Sequence, residues 1–208
     1  MSKLRLVVLI SAGGTTLQNL IDQIALGTLA VDLVEVISSH PGVYGLERAR
    51  RAQIPTSIIT RKQAGSTQQF SDAVFSRCRE LKADLVLMAG FLQFLLIPDD
   101  FLYRVMNIHP SLIPAFCGHG YYGHHVHEAV LKRGVKVTGC TVHFADNEYD
   151  HGPIIVQKCV TVAEEDTTET LAARVYAKEC EAYPEAIRLF AEGRLQVQGR
   201  CVKILPAK

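Results

Sequence analysis

The chain has 208 residues, 48% of them apolar and 21% charged, a composition that suits one globular domain whose core needs neither disulfide nor metal. Its formal net charge is +1 and it has no basic stripe, which argues against nucleic acid or a membrane surface as a partner. No apolar run approaches the roughly 18 residues of a bilayer span, and Met1-Ser2-Lys3-Leu4-Arg5 leads straight into a short apolar stretch rather than a signal peptide, so the expected compartment is the cytoplasm.

In chain order, Leu6 to Ile10 is a continuous apolar run that reads as a buried strand. It ends in Ser11-Ala12-Gly13-Gly14-Thr15-Thr16, and Leu17, Leu20, Ile21 and Ile24 then share one helix face. Strand, glycine turn, helix is the opening of a doubly wound fold. A second strand is expected at Leu33 to Ser38, a short helix at Leu46 to Ala52, and a strand or turn from Ile54-Pro55-Thr56. Helical spacing returns from Gln68 to Leu81, with Phe70, Val74, Phe75, Cys78 and Leu81 in register. Asp84 to Ala89 reads as a buried strand ending at Gly90, and Phe101 to Ile108 is a further apolar stretch ended by His109-Pro110.

Val137 to Phe144 and Ile154 to Val162 read as two strands joined by a turn, Ala145 to Pro153, that holds three acidic residues. Thr168 to Glu192 is the longest helical pattern, with a break or kink expected at Pro184. Leu195 to Val197 closes the chain as a short strand. There is neither an internal repeat nor a linker, so residues 1–208 are expected to form one domain: α/β, Rossmann-like and doubly wound, with a mostly parallel sheet flanked by helices.

Four segments carry side chains or backbone fit for chemistry. Gly13-Gly14-Thr15-Thr16 lies where a helix N-terminus offers N–H groups to a phosphate; the plainer reading is a tight turn with a threonine cap. Asn107 and His109 are two residues apart at a strand end and so point the same way, an amide and an imidazole able to stabilise an oxyanion and move a proton. Asp150 is a carboxylate that, near a histidine, would raise the imidazole pKa and could hold a water; the plainer reading is a solvated turn acid. His119 to His127 holds four histidines in nine residues, but the spacing of a zinc helix is missing, so a flexible Gly/Tyr/His-rich loop without metal is expected. The six cysteines, at 78, 117, 140, 159, 180 and 201, include no CxxC pair and are expected as buried free thiols.

Three of these segments, with their neighbours, resemble the glycinamide ribonucleotide formyltransferases among the folate-dependent formyltransferases. Residues 9–18 are similar to the family's first strand–helix turn. Ala89-Gly90-Phe91-Leu92 and Asn107-Ile108-His109-Pro110-Ser111-Leu112-Ile113-Pro114 resemble its folate and catalytic segments. Thr141-Val142-His143-Phe144 and Asp150-His151-Gly152-Pro153 resemble its acidic loop, and Ala173 to Pro184 its late helix. The resemblance covers nearly the whole chain in the same order.

It implies that a formyl group passes from 10-formyltetrahydrofolate, without a metal, to the amine of 5'-phosphoribosylglycinamide in de novo purine biosynthesis. It also implies that Asn107 and protonated His109 stabilise the tetrahedral intermediate, with Asp150 supporting His109 and ordering a water. Gly14, Thr15 and Thr16 would hold the acceptor's phosphate, with Pro110 and Glu179 also at the acceptor. Leu92, Gln93, Phe94, Leu95, Asn107, Asp146, Asn147, Glu148, Tyr149 and Asp150 would line the folate site. The expected assembly is a monomer or homodimer.

This sequence departs from the family in three places. The usual Gly-Asn-Gly-Ser-Asn turn reads Ala12-Gly13-Gly14-Thr15-Thr16; the usual arginine near the substrates falls near Thr67, with Arg61 or Lys62 as its substitute; and residues 119–127 read as an insertion. A formyltetrahydrofolate hydrolase is the nearest rival, expected to carry a further N-terminal domain. A sugar-nucleotide or tRNA formyltransferase is expected to carry a further C-terminal one. A non-catalytic metal- or ligand-binding protein on the same fold is the rival outside the enzymes.

Overall fold

The structure is a computed structural model that describes residues 3–207. The chain divides into two compact units, one running to Met106 and the other beginning at Asn107.

The first unit holds β1 (Leu4–Ile10), α1 (Thr15–Ala25), β2 (Val31–Ser38), α2 (Tyr44–Arg51), β3 (Thr56–Ile58), α3 (Arg61–Ala64), α4 (Thr67–Glu80) and β4 (Leu85–Met88). β1 pairs in parallel with β2 on one side and β4 on the other, and β2 pairs in parallel with β3. Because crossover helices cover such a sheet, its central strand is apolar from Leu6 onward, and Leu6 to Ile10 are all fully buried. One charge is buried in this core. Glu35 on β2 accepts two hydrogen bonds from the Arg77 guanidinium on α4, at 3.0 and 2.5 Å. Burial raises the Glu35 pKa, but the Arg77 and Ser57 hydrogen bonds and the Arg77 charge together bring it below the ordinary value.

β5 (Val105–His109) carries the chain into the second unit, which contains α5 (His124–Arg133), β6 (Val137–Phe144), β7 (Ile154–Thr161), α6 (Thr168–Ala191), β8 (Leu195–Gln198) and β9 (Cys201–Ile204). β6 and β7 are antiparallel, β7 meets β9 in parallel, and β8 and β9 form a hairpin. α6 packs on β6 and β7. A reciprocal cap starts it, with Thr167 accepting from the Thr170 amide while Thr170 accepts from the Thr167 amide.

Several expectations need correcting. The long helix runs through Pro184 without a break; the residue is buried in its packed face, so tertiary contacts outweigh the lost backbone bond. The segment 119–127 is a loop only as far as Gly123, and its last three histidine positions lie in the first turn of α5. α3 and β9 were not expected. Of the six thiols only Cys78 and Cys140 are buried, while Cys159 and Cys201 are exposed. Among the described residues no helix is long and apolar enough to cross a membrane.

Candidate active site

In the first unit the turn after β1 is built from backbone. Gly14 is the N-cap of α1, in the left-handed conformation (φ 70°), so a glycine and not a threonine stands at the cap position. A glycine is required there twice over: a Cβ would sit 2.8 Å from the Cα of Gly45 on α2. Gly45 is equally constrained, since its own Cβ would lie 2.6 Å from Ile10 Cδ1. The result is an anion-ready helix end that a neighbouring helix holds in place.

Arg48 on α2, which the sequence reading passed over, reaches this turn. Its Nε donates to the Gly13 carbonyl at 2.9 Å, and its Nη1 to Gln18 Oε1 at 3.0 Å. The signal available in the sequence was a cation one helical turn past Tyr44, whose ring the Arg48 guanidinium also covers at 4.8 Å.

The same unit brings the expected folate segment to the turn. Ser11 Oγ accepts from the Leu92 amide at 2.9 Å, and Ser11 N donates to the Gly90 carbonyl at 3.1 Å. Residues 92–95 have neither helix nor strand structure; Leu92 is exposed, Gln93 and Phe94 half-buried, Leu95 buried. Thr67, in place of the family's arginine, opens α4, while the Nη1 of Arg61 is buried without a partner among the described residues. An orphaned guanidinium nitrogen suits an arginine that awaits an anionic ligand.

In the second unit Asn107, His109 and Asp150 come together. His109 is buried, and its Nε2 donates to the Phe116 carbonyl at 2.9 Å. Its Nδ1 lies 3.5 Å from Asp150 Oδ2. The other oxygen of Asp150 accepts from Asn107 Nδ2 at 3.2 Å, and Oδ2 also accepts from the Gly118 amide at 2.9 Å. Asp150 sits at φ 51°, a left-handed conformation that aspartate tolerates better than most residues and that aims its carboxylate inward. The turn is closed by Gly152, where a Cβ would collide with the Phe144 carbonyl at 1.9 Å.

Electrostatics set the resting charges. Burial drives the His109 pKa below the ordinary imidazole value; the Asp150 charge and the Phe116 carbonyl offset this only in part. Burial raises the Asp150 pKa, but the histidines and the Gly118 amide together bring it below the usual carboxylate value. These shifts favour a neutral imidazole beside a carboxylate in the free site at neutral pH. The long Nδ1–Oδ2 separation agrees with that state, since a charged pair draws closer.

Two histidines to which the sequence reading gave no role in the chemistry lie beside this cluster. His143, fully buried on β6, has its Nε2 3.2 Å from Asn107 Nδ2. His127 on α5 is buried, and its Nδ1 has no partner among the described residues. Burial and the nearby His124 and His109 push its pKa down to about 4. A histidine between two buried apolar neighbours, as in Val142-His143-Phe144, was the readable sign of the first. Asp146 bonds His151 and the Glu148 amide, which shapes the turn, and Tyr149 is exposed. Glu179 is half-buried on α6, and burial alone pushes its pKa up to about 7. Among the described residues no group of three or more His, Cys, Asp or Glu side chains is arranged to hold a metal ion.

In the second unit a buried imidazole beside a carboxylate has the chemistry for proton transfer. A family model described as formyl transferase matches residues 4–187, and the chain belongs to that family. Its relatives include the trifunctional purine biosynthetic protein adenosine-3 of Gallus gallus, 43% identical over 198 residues that make up 94% of this chain and 19% of that protein. The chain thus spans about a fifth of the length of these larger relatives. It is 35% identical to a phosphoribosylglycinamide formyltransferase of Haemophilus influenzae over 93% of this chain and 90% of that one. The crystal structure of glycinamide ribonucleotide transformylase 1 from Symbiobacterium toebii superposes with a TM-score of 0.90 and 43% identity, covering 98% of this chain and 95% of that one. The fold class is accordingly α/β, a mostly parallel sheet flanked by helices.

Proposed function

We propose that this chain transfers the formyl group of 10-formyltetrahydrofolate to the amine of 5'-phosphoribosylglycinamide in de novo purine biosynthesis. In this reading residues 1–208 act as one formyltransferase domain, a cytoplasmic monomer or homodimer that needs no metal, membrane or nucleic acid. The observation that carries it is the buried His109, whose Nδ1 lies 3.5 Å from Asp150 Oδ2.

An acceptor amine of this type has a pKa of roughly 8 and enters mostly protonated. Neutral His109 takes its proton on Nδ1, where the Asp150 carboxylate waits 3.5 Å away. The freed nitrogen lone pair bonds to the formyl carbon, and the carbonyl electron pair moves to oxygen. The imidazolium, created at the moment it is needed, faces that developing charge; one such donor is worth about 3 kcal/mol. When the oxyanion collapses, the bond from carbon to the folate nitrogen breaks and His109 protonates that nitrogen. The second proton lost by the amine passes to solvent. Pro110, next to His109, shapes the acceptor side.

The remaining roles follow the surfaces available. The α1 N-terminus, with Gly14, Thr15 and Thr16, takes the phosphate, and Arg48 adds positive charge there. Residues 92–95 and 146–150, with Asn107, hold the pterin, and Arg61 meets the anionic tail. Glu179, whose pKa burial pushes up to about 7, is suited to hydrogen-bond acceptor hydroxyls.

The test is a spectrophotometric assay of folate deformylation with and without phosphoribosylglycinamide. Turnover that requires the acceptor supports the proposal. Turnover without it identifies a hydrolase, and no turnover in either case moves the assignment to another amine or to a binding role.

A further inference from the structure

None of the residues of the β8–β9 hairpin is fully buried, so the hairpin adds little to the core. What it does is set one cation against the acidic turn. Gln198 pairs with Cys201, which leaves Gly199 and Arg200 as a two-residue turn, and Gly199 alone of the two has a positive φ, 60°. β9 meets β7 in parallel with Cys201 opposite Ile154, so Arg200 lies alongside the residues that lead into β7. Its Nη2 donates to the His151 carbonyl at 2.7 Å, and its Nη1 lies 2.5 Å from Nε2 of the His151 ring. The planar guanidinium thus spans the backbone and the ring of one residue, a two-point contact that a lysine does not reproduce. His151 carries the contact onward. Its Nδ1 meets Asp146 Oδ2 at 2.8 Å, and Asp146 Oδ1 accepts from the Glu148 amide at 3.0 Å. Residues 146–150 form neither helix nor strand, so these links close at its base a turn that ends in the left-handed Asp150.

We propose that Arg200 is a positioning residue that clamps the 146–150 turn in the shape that receives the pterin, so that folate affinity depends on a residue outside the folate site itself. This rests on the folate-site reading above. The clamp works through directed hydrogen bonds, not through a cation's attraction for an anionic substrate.

Two experiments test it on the full chain. The first compares backbone ¹⁵N order parameters of the ligand-free wild type and Arg200→Leu, and needs no activity. Residues 146–151 are expected to be rigid in the wild type, at about 0.85, and to fall toward roughly 0.6 in the variant, with α6 unchanged. A turn equally ordered in both proteins overturns the clamp.

The second measures the calorimetric Kd for tetrahydrofolate, and KM for the acceptor, in Arg200→Leu and Arg200→Lys. Arg200 is exposed, so both variants are expected to fold. The leucine variant is expected to bind tetrahydrofolate roughly fivefold more weakly, the scale of one modest hydrogen bond, with acceptor KM changed by less than about twofold. The lysine variant keeps the charge but not the two-point contact, and is expected to recover little of that loss. A lysine variant equal to wild type, a leucine variant with unchanged folate Kd, or an equal rise in acceptor KM contradicts the proposal. A wild type that does not bind tetrahydrofolate overturns it together with the folate-site reading. A wild type that binds tetrahydrofolate in an Arg200-dependent way but transfers no formyl group rejects the transfer reading and leaves the clamp standing.

Discussion

The turn at Gly13–Thr16 and the cluster around His109 are made of different material. The first is backbone: a left-handed glycine, an uncapped helix end and a second glycine packed against it. The second is side chains drawn from three separate segments, each holding another's hydrogen-bonding groups in place. A backbone site tolerates new side chains as long as its geometry survives, which is how Ala12-Gly13-Gly14-Thr15-Thr16 can stand where the family carries asparagines. A side-chain site has less freedom, since Asn107, Asp150 and His143 hold one another's polar groups.

Mutations can break this contrast, and the largest effect is expected at the side-chain site. His109→Ala should lower kcat about 10³-fold, the scale of a lost general acid–base, with the circular dichroism spectrum unchanged. An activity within tenfold of wild type would remove His109 from the chemistry.

Next comes Gly14→Ala, which adds one carbon in a backbone conformation that disfavours it and 2.8 Å from Gly45 Cα. It should cost about 2 kcal/mol of stability in denaturant titration and raise KM for the acceptor roughly tenfold, equivalent to about 1.4 kcal/mol, with a smaller change in kcat. The smallest effect belongs to Thr16→Ala, which leaves the backbone amides in place. Its KM should rise by less than about threefold, the worth of one modest hydrogen bond. If Thr16→Ala matched Gly14→Ala, the phosphate site would be a side-chain site after all.

The two regions also differed in how readable they were. The Leu6–Ile10 run and its glycine turn are local in sequence, so strand, turn and helix were legible together. Asn107 and His109 were legible as a pair because alternate residues of a strand share a face. Asp150 was named as a candidate, but its bond to Asn107 joins residues far apart in the chain. Only the fold sets that distance.

His143 lay unread in a strand recognised by its apolar neighbours. The start of α5 was hidden by composition: Gly, Tyr and His suggest a loop, and the helix buries only Val126, His127 and Val130. Pro184 misled because intrinsic propensity was weighed without the packing around it. The β8–β9 hairpin turns on Gly199, with φ 60°; β8 was expected at Leu195 to Val197, but β9 is too short and too exposed to show a period.

The central claim is that His109 rests neutral in the free protein and draws its proton from the acceptor. The most direct measurement is kcat/KM against pH for wild type and Asp150→Asn. A base must be unprotonated to act, so activity falls as pH drops through the His109 pKa. Burial lowers that pKa, so the acid limb should lie below the ordinary imidazole value of 6.5. Asp150 raises it, so Asp150→Asn should move the limb to still lower pH as well as lowering its plateau. An acid limb above 6.5, or one that Asp150→Asn leaves in place, would contradict the account.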